Sequence, residues 1–160
     1  MKFICESHRD EILQNPAHAI KHWDVLMKHG LQLLDLGDCQ KAIPLMGSSY
    51  EIGEWLLSKT EIQPSGNAPS HVDRYTLAGH HLVDCYRING NQALELHVLL
   101  SVHRNLVLLA SRQQTREWSV KANITASMYK LQRYIDFYGL FPGYLDLHEE
   151  TQRVLRHFRN

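Results

Sequence analysis

Apolar side chains in this chain recur every three or four residues, and no stretch alternates apolar with polar at a period of two. A chain patterned in this way buries helix stripes and offers nothing to a sheet, so its fold class is all-α. The helix ends are legible too. Asn15-Pro16 opens one helix, with Asn as the cap and Pro at the first helical position, where its missing N–H costs nothing. Gly37 closes it, and Asp38 caps a second that runs to about 57 or 58 with Pro44 inside it, where a bend or a lost hydrogen bond is expected. "TEIQPSGNAPS" at 60–70 reads as a loop. Ser70 with Asp73 resembles a capping box and starts a third helix. "NGN" at 89–91 breaks that helix, and a fourth begins near Gln92. Its sequence, "QALELHVLLSVHRNLVLLAS", is apolar on most of its circumference and is expected to be the most buried. Thr115 opens a fifth that ends at Gly139, and Asp146 with Glu149 caps a short sixth. The expectation is one domain, 1–160, of three antiparallel hairpins at about 16–58, 71–112 and 116–158.

Composition narrows the functional classes. A chain of 160 residues, 44% hydrophobic and 21% charged, can bury a core of its own. Its longest apolar runs, such as "LVLLA" at 106–110, are far shorter than a membrane span, and the opening residues turn polar too soon for a secretory signal. Three cysteines, Cys5, Cys39 and Cys85, are an odd number without metal spacing and suit a reducing cytoplasm. Net charge is zero, but residues 1–80 carry 7 Lys or Arg against 10 Asp or Glu, and residues 81–160 carry 10 against 7. That polarity can steer a partner without providing the basic face that nucleic acid requires. The glycines form neither a dinucleotide nor a P-loop pattern, so no cofactor is expected.

Eleven histidines invite chemistry. His18, His22 and His29 share one helix face, but His29 lies two turns from the other pair, so a metal there needs a ligand from another helix. His80-His81 with Asp84, and His97 with His103, hold no orienting partner or substrate pocket that sequence can show. The first pair suits a surface turn, and the second suits core imidazoles tied to backbone or water. Cys39 falls in the first turn of a helix, where the dipole lowers a thiol pKa, but Asp38 opposes that shift. Arg153, Arg156 and Arg159 crowd a helix C-terminus, which the dipole favours without any anion ligand. Arg112, Arg116 and Lys121 give only a slight basis for a DNA-reading helix.

Gly30, inside a helix, costs roughly 1 kcal/mol relative to alanine, a cost explained if another backbone comes close. "GSSYEIG" at 47–53 gives the partner helix a similarly small surface, while Trp23, Leu26, Met27, Leu33 and Leu34 line the buried stripe. A shift of 52 aligns Leu33, Leu36, Ala42, Met46 and Ser49 with Cys85, Ile88, Leu94, Val98 and Ser101, all apolar or small. Over residues 23–50 the chain resembles a tetratricopeptide repeat. Gly30, Leu33, Gly37, Ala42, Met46 and Ser49 stand at that family's spacing, and Gly37-Asp38 before Ala42-Ile43 is its most typical phrase. Over 75–110 the match departs, with Asn89 near the turn-glycine position and Leu94 in place of the alanine.

The resemblance implies hairpins stacked as a short superhelix, with an up-and-down helical bundle as the alternative architecture. It also implies that the first helix of each hairpin lines a concave groove. Asp24, Met27, Lys28, Leu31 and Asp35 then face a partner, joined by Thr76, His80, Val83, Asp84 and Arg87. This mixture suits an extended or helical peptide from another protein, or self-association, in a non-enzymatic scaffold, adaptor or chaperone-like role. The competing reading is a helical-bundle enzyme or metal-binding protein that uses its histidines.

Overall fold

The computed structural model describes residues 2–59, 68–112 and 118–158. Most of the loop expected at 60–70 lies outside them, as do Thr115, Arg116 and Arg159. The described residues form seven helices and no strand: α1 (Glu6–Ile12), α2 (Pro16–Asp35), α3 (Cys39–Leu57), α4 (His71–Ile88), α5 (Gln92–Arg112), α6 (Trp118–Tyr138) and α7 (Tyr144–His157). The all-α expectation holds. The helix that the sequence did not announce is α1, which buries none of its residues and so carries no apolar stripe.

Local chemistry sets most of the ends. The Asn15 side-chain oxygen accepts the His18 N–H (2.9 Å), and the Asp38 carboxylate accepts the Lys41 N–H (3.3 Å). Ser70 and Asp73 form the full reciprocal capping box. At the α2–α3 turn Gly37 takes φ 78°, with Gly37 N–H on the Leu34 carbonyl (2.9 Å) and Asp38 N–H on that of Leu33 (2.8 Å). The α4–α5 turn repeats this pattern. Gly90 takes φ 68°, Gly90 N–H reaches the Arg87 carbonyl (3.0 Å), and Asn91 N–H reaches that of Tyr86 (2.9 Å). The left-handed residue is thus Gly90 rather than Asn89, and the two turns are 53 residues apart rather than 52. At that spacing Gly30, Ala42, Met46 and Tyr50 fall on Val83, Glu95, Leu99 and His103, and all eight are buried. One start also moves: α7 begins at Tyr144 after Gly143 (φ 80°), which places Asp146 in the first turn instead of at the cap.

The chain divides into two compact units, Met1–Val98 and Leu99–Asn160, with the boundary inside α5. In the first, α3 packs against both α2 and α4. At Gly53 it comes close to the main chain of α4, where an added Cβ would lie 2.8 Å from the Tyr75 Cα and 3.2 Å from its N. Gly30 differs from expectation. The atoms a Cβ there would meet first belong to the flexible Met46 side chain, with Cε at 2.7 Å. Tyr50 and Tyr75 stack at 5.2 Å between ring centroids and share a hydroxyl–hydroxyl bond of 3.1 Å, joining α3 to α4. The helix with the most buried positions is α4, from His71 through Tyr86, not α5.

In the second unit α5, α6 and α7 meet around His103, which is fully buried. Ser127 from α6 lies 3.1 Å from its Nδ1, and Thr151 from α7 lies 2.7 Å from its Nε2. Among the described helices α5 has the length and composition to cross a membrane, yet its Glu95 and His103 are buried on protein partners.

Candidate peptide-binding surface

The two helices singled out by the sequence, α2 and α4, both rest on α3 and meet at one bridge. Arg74 of α4 lies over the Trp23 ring, 5.4 Å from its centroid, and its Nη2 lies 3.6 Å from Asp24 Oδ1. Its Nη1 donates to the Pro69 carbonyl. The guanidinium is buried while Asp24 is exposed, so the bridge fixes one edge of the surface from within.

Around it the expected residues divide. Asp24, Lys28 and Asp35 are exposed on α2, with Leu31 half-buried beside them. On α4, His80 and Asp84 are half-buried. Three residues leave the surface. Met27 continues the buried stripe of Ala19, Trp23 and Gly30, and Thr76 is buried with its hydroxyl donating to the Val72 carbonyl (2.9 Å). Val83 is likewise core. Arg87 turns to the fully buried Glu95, with Nε donating to Oε1 at 2.7 Å and Nη2 2.5 Å from the same oxygen. Among the described residues Oε2 accepts no hydrogen bond.

The histidines are spread out. His18 and His22 touch edge to face at 4.6 Å, with the His18 Nδ1 on the Glu11 carbonyl (3.0 Å), and His29 is exposed elsewhere on α2. Among the described residues no three His, Cys, Asp or Glu side chains converge in a way that could hold a metal ion. His103 is a core imidazole as expected, whereas His97 is exposed.

All three cysteines are free thiols. Cys39 and Cys85 are buried, and burial pushes the Cys85 thiol up to about 12. The thiol with chemistry is Cys5, which the sequence reading did not single out. It is exposed, 3.3 Å from the Ser7 hydroxyl and 2.8 Å from His8 Nδ1. Bonding to Ser7, followed by that to His8, lowers Cys5 to about 7, and the same thiol raises the His8 imidazole. A Cys three residues before a His at a helix start was the available signal.

No family model, curated protein or solved structure matches this chain. What it does must therefore be argued from its own residues.

Proposed function

We propose that this chain is a non-enzymatic interaction domain, a scaffold, adaptor or chaperone-like protein of the reducing cytoplasm, built of hairpins like those of tetratricopeptide repeats. The α2/α4 surface receives a peptide or helix of another protein. One observation carries the reading. After α3 has taken the apolar stripes of α2 and α4, the side chains left accessible along the two helices from the Arg74–Asp24 bridge onward are mixed in kind: Asp24, Lys28, Leu31 and Asp35, with half-buried His80 and Asp84. A two-helix floor with an apolar residue among separated charges suits peptide recognition, in which a few side chains anchor and charges set orientation. Three free thiols agree with a reducing compartment.

The test compares proteins captured from the host by the native chain with those captured by a Lys28→Glu, Asp35→Lys double variant. These two residues are exposed, so folding should be unaffected. Loss of a specific polypeptide at unchanged melting temperature is the expected result. Identical captures by the two proteins would remove this surface from consideration.

A further inference from the structure

A second surface runs along α3. Gly47, Glu51 and Trp55 stand four residues apart and so form one row along the helix. Residues 2–4 of the same chain lie on it. The Phe3 ring covers Gly47 so closely that an added Cβ would overlap it. Glu51 accepts two successive main-chain N–H groups, from Phe3 through Oε1 and from Ile4 through Oε2 (3.1 Å). Ile4 is buried. Alongside, a pocket of about 280 Å³ is left open, lined by Lys2, Arg9, Glu51, Glu54, Trp55 and Ser58.

This is how a peptide is held. A carboxylate that takes consecutive backbone N–H groups reads main chain rather than side chain, and the bonds are charge-assisted. Selectivity comes from the ring seat on Gly47 and the buried Ile4 position, while the Lys2 ammonium pairs with Glu6 of α1 (3.2 Å) at the mouth of the pocket. Beyond its own seat on α3 the resident segment has little to hold it. The helix that follows it, α1, buries no residue, and the side chain of its cap residue Cys5 makes no capping bond. A helix with so few buried contacts opens at low free energy and adds little to the anchoring of residues 2–4.

We propose that the Gly47–Glu51–Trp55 row is a docking site for an extended peptide of another protein carrying an aromatic and a β-branched residue in succession, and that Lys2-Phe3-Ile4 keeps it closed from within the chain. A tethered occupant competes at high effective concentration, so the outside peptide binds with an affinity reduced by the fraction of time the row is open. The site lies on a different helix from the α2/α4 surface, and either can fail without the other.

The probe is a fluorescent synthetic peptide with the sequence of residues 1–12 and Cys5→Ser, read by anisotropy against full-length protein. The variant Phe3→Ser vacates the ring seat and should bind the probe roughly tenfold more tightly than the native chain. Adding Glu51→Ala should abolish that binding. Circular dichroism verifies that both variants remain helical. A measurement on the native chain itself guards against misfolded variants: saturating probe should accelerate hydrogen exchange at the Phe3 and Ile4 amides. Equal affinity of native and Phe3→Ser proteins, or binding that survives Glu51→Ala, overturns the proposal. So does a native dimer that exchanges residues 2–4 and falls apart in Phe3→Ser, which would give the row to a second copy.

Discussion

Two buried glycines in helices, Gly30 and Gly53, look alike in sequence and differ in what they face. At Gly53 the neighbour is the Tyr75 main chain, which cannot yield without moving α4. Gly53→Ala should therefore cost about 2 kcal/mol, within the usual range for overpacking. At Gly30 the neighbour is the end of a methionine side chain, which can rotate away. The propensity gain of about 1 kcal/mol then offsets the adjustment, so Gly30→Ala should be close to neutral. Urea unfolding of the two variants decides it, and equal losses would refute the distinction. Cys5 gives a second test at this scale. Its alkylation by iodoacetamide should rise through a midpoint of about pH 7, because the thiolate is the reactive form. His8→Ala should move that midpoint towards the ordinary thiol value. Cys39 and Cys85, both buried, should react only on unfolding.

Helix ends were legible where a cap is a local event. Asn15, Asp38 and Ser70 each bond to a backbone N–H three residues ahead, and sequence spacing is enough to see that. The α4–α5 break falls at "NGN" as the sequence indicates, but the repeat register came out one residue short, because only the left-handed φ of Gly90 shows which of those residues matches Gly37. Exposure was less legible than helicity. Met27 and Asp24 stand three apart on one helix, yet the width of the stripe covered by α3 decides which of them meets solvent. Arg87 looked like a surface cation because its partner, Glu95, sits on the next helix, out of reach of any spacing rule along α4. That pair yields a prediction for the α4–α5 connection. Arg87→Met would leave the Glu95 carboxylate buried without its cation and should cost about 3–5 kcal/mol, whereas Arg87→Met with Glu95→Leu should recover most of the loss. Unfolding free energies of the single and double variants measure the coupling, and a double variant no better than the single would disprove it.

Burial disfavours the charged form of two imidazoles, His71 in the first unit and His103 in the second. The hydrogen bonds around His103 assign its proton. Thr151 gives its hydroxyl hydrogen to the Leu147 carbonyl (2.7 Å), so the His103 Nε2 must donate to Thr151 and Nδ1 must accept from Ser127. Three helices are therefore tied through a neutral ring with no room for a second proton. Desolvation lowers its pKa to about 4, with a smaller push from Arg104. His71 is lowered by the same cause, with Arg74 adding to it. The sign follows by linkage. Between pH 6.5 and 4 the unfolded chain binds a proton at position 103 that the folded chain refuses, so stability falls as pH falls through that window. For His103 alone the loss approaches about 3 kcal/mol by pH 4. His71 adds to it in the same direction. Urea unfolding at a series of pH values should therefore show a steep decline on the acid side of 6.5. His103→Leu should be less stable at neutral pH, having left Ser127 and Thr151 without the ring, yet should show a flatter acid decline. A His103→Leu profile as steep as that of the native chain would show that other groups carry the acid sensitivity.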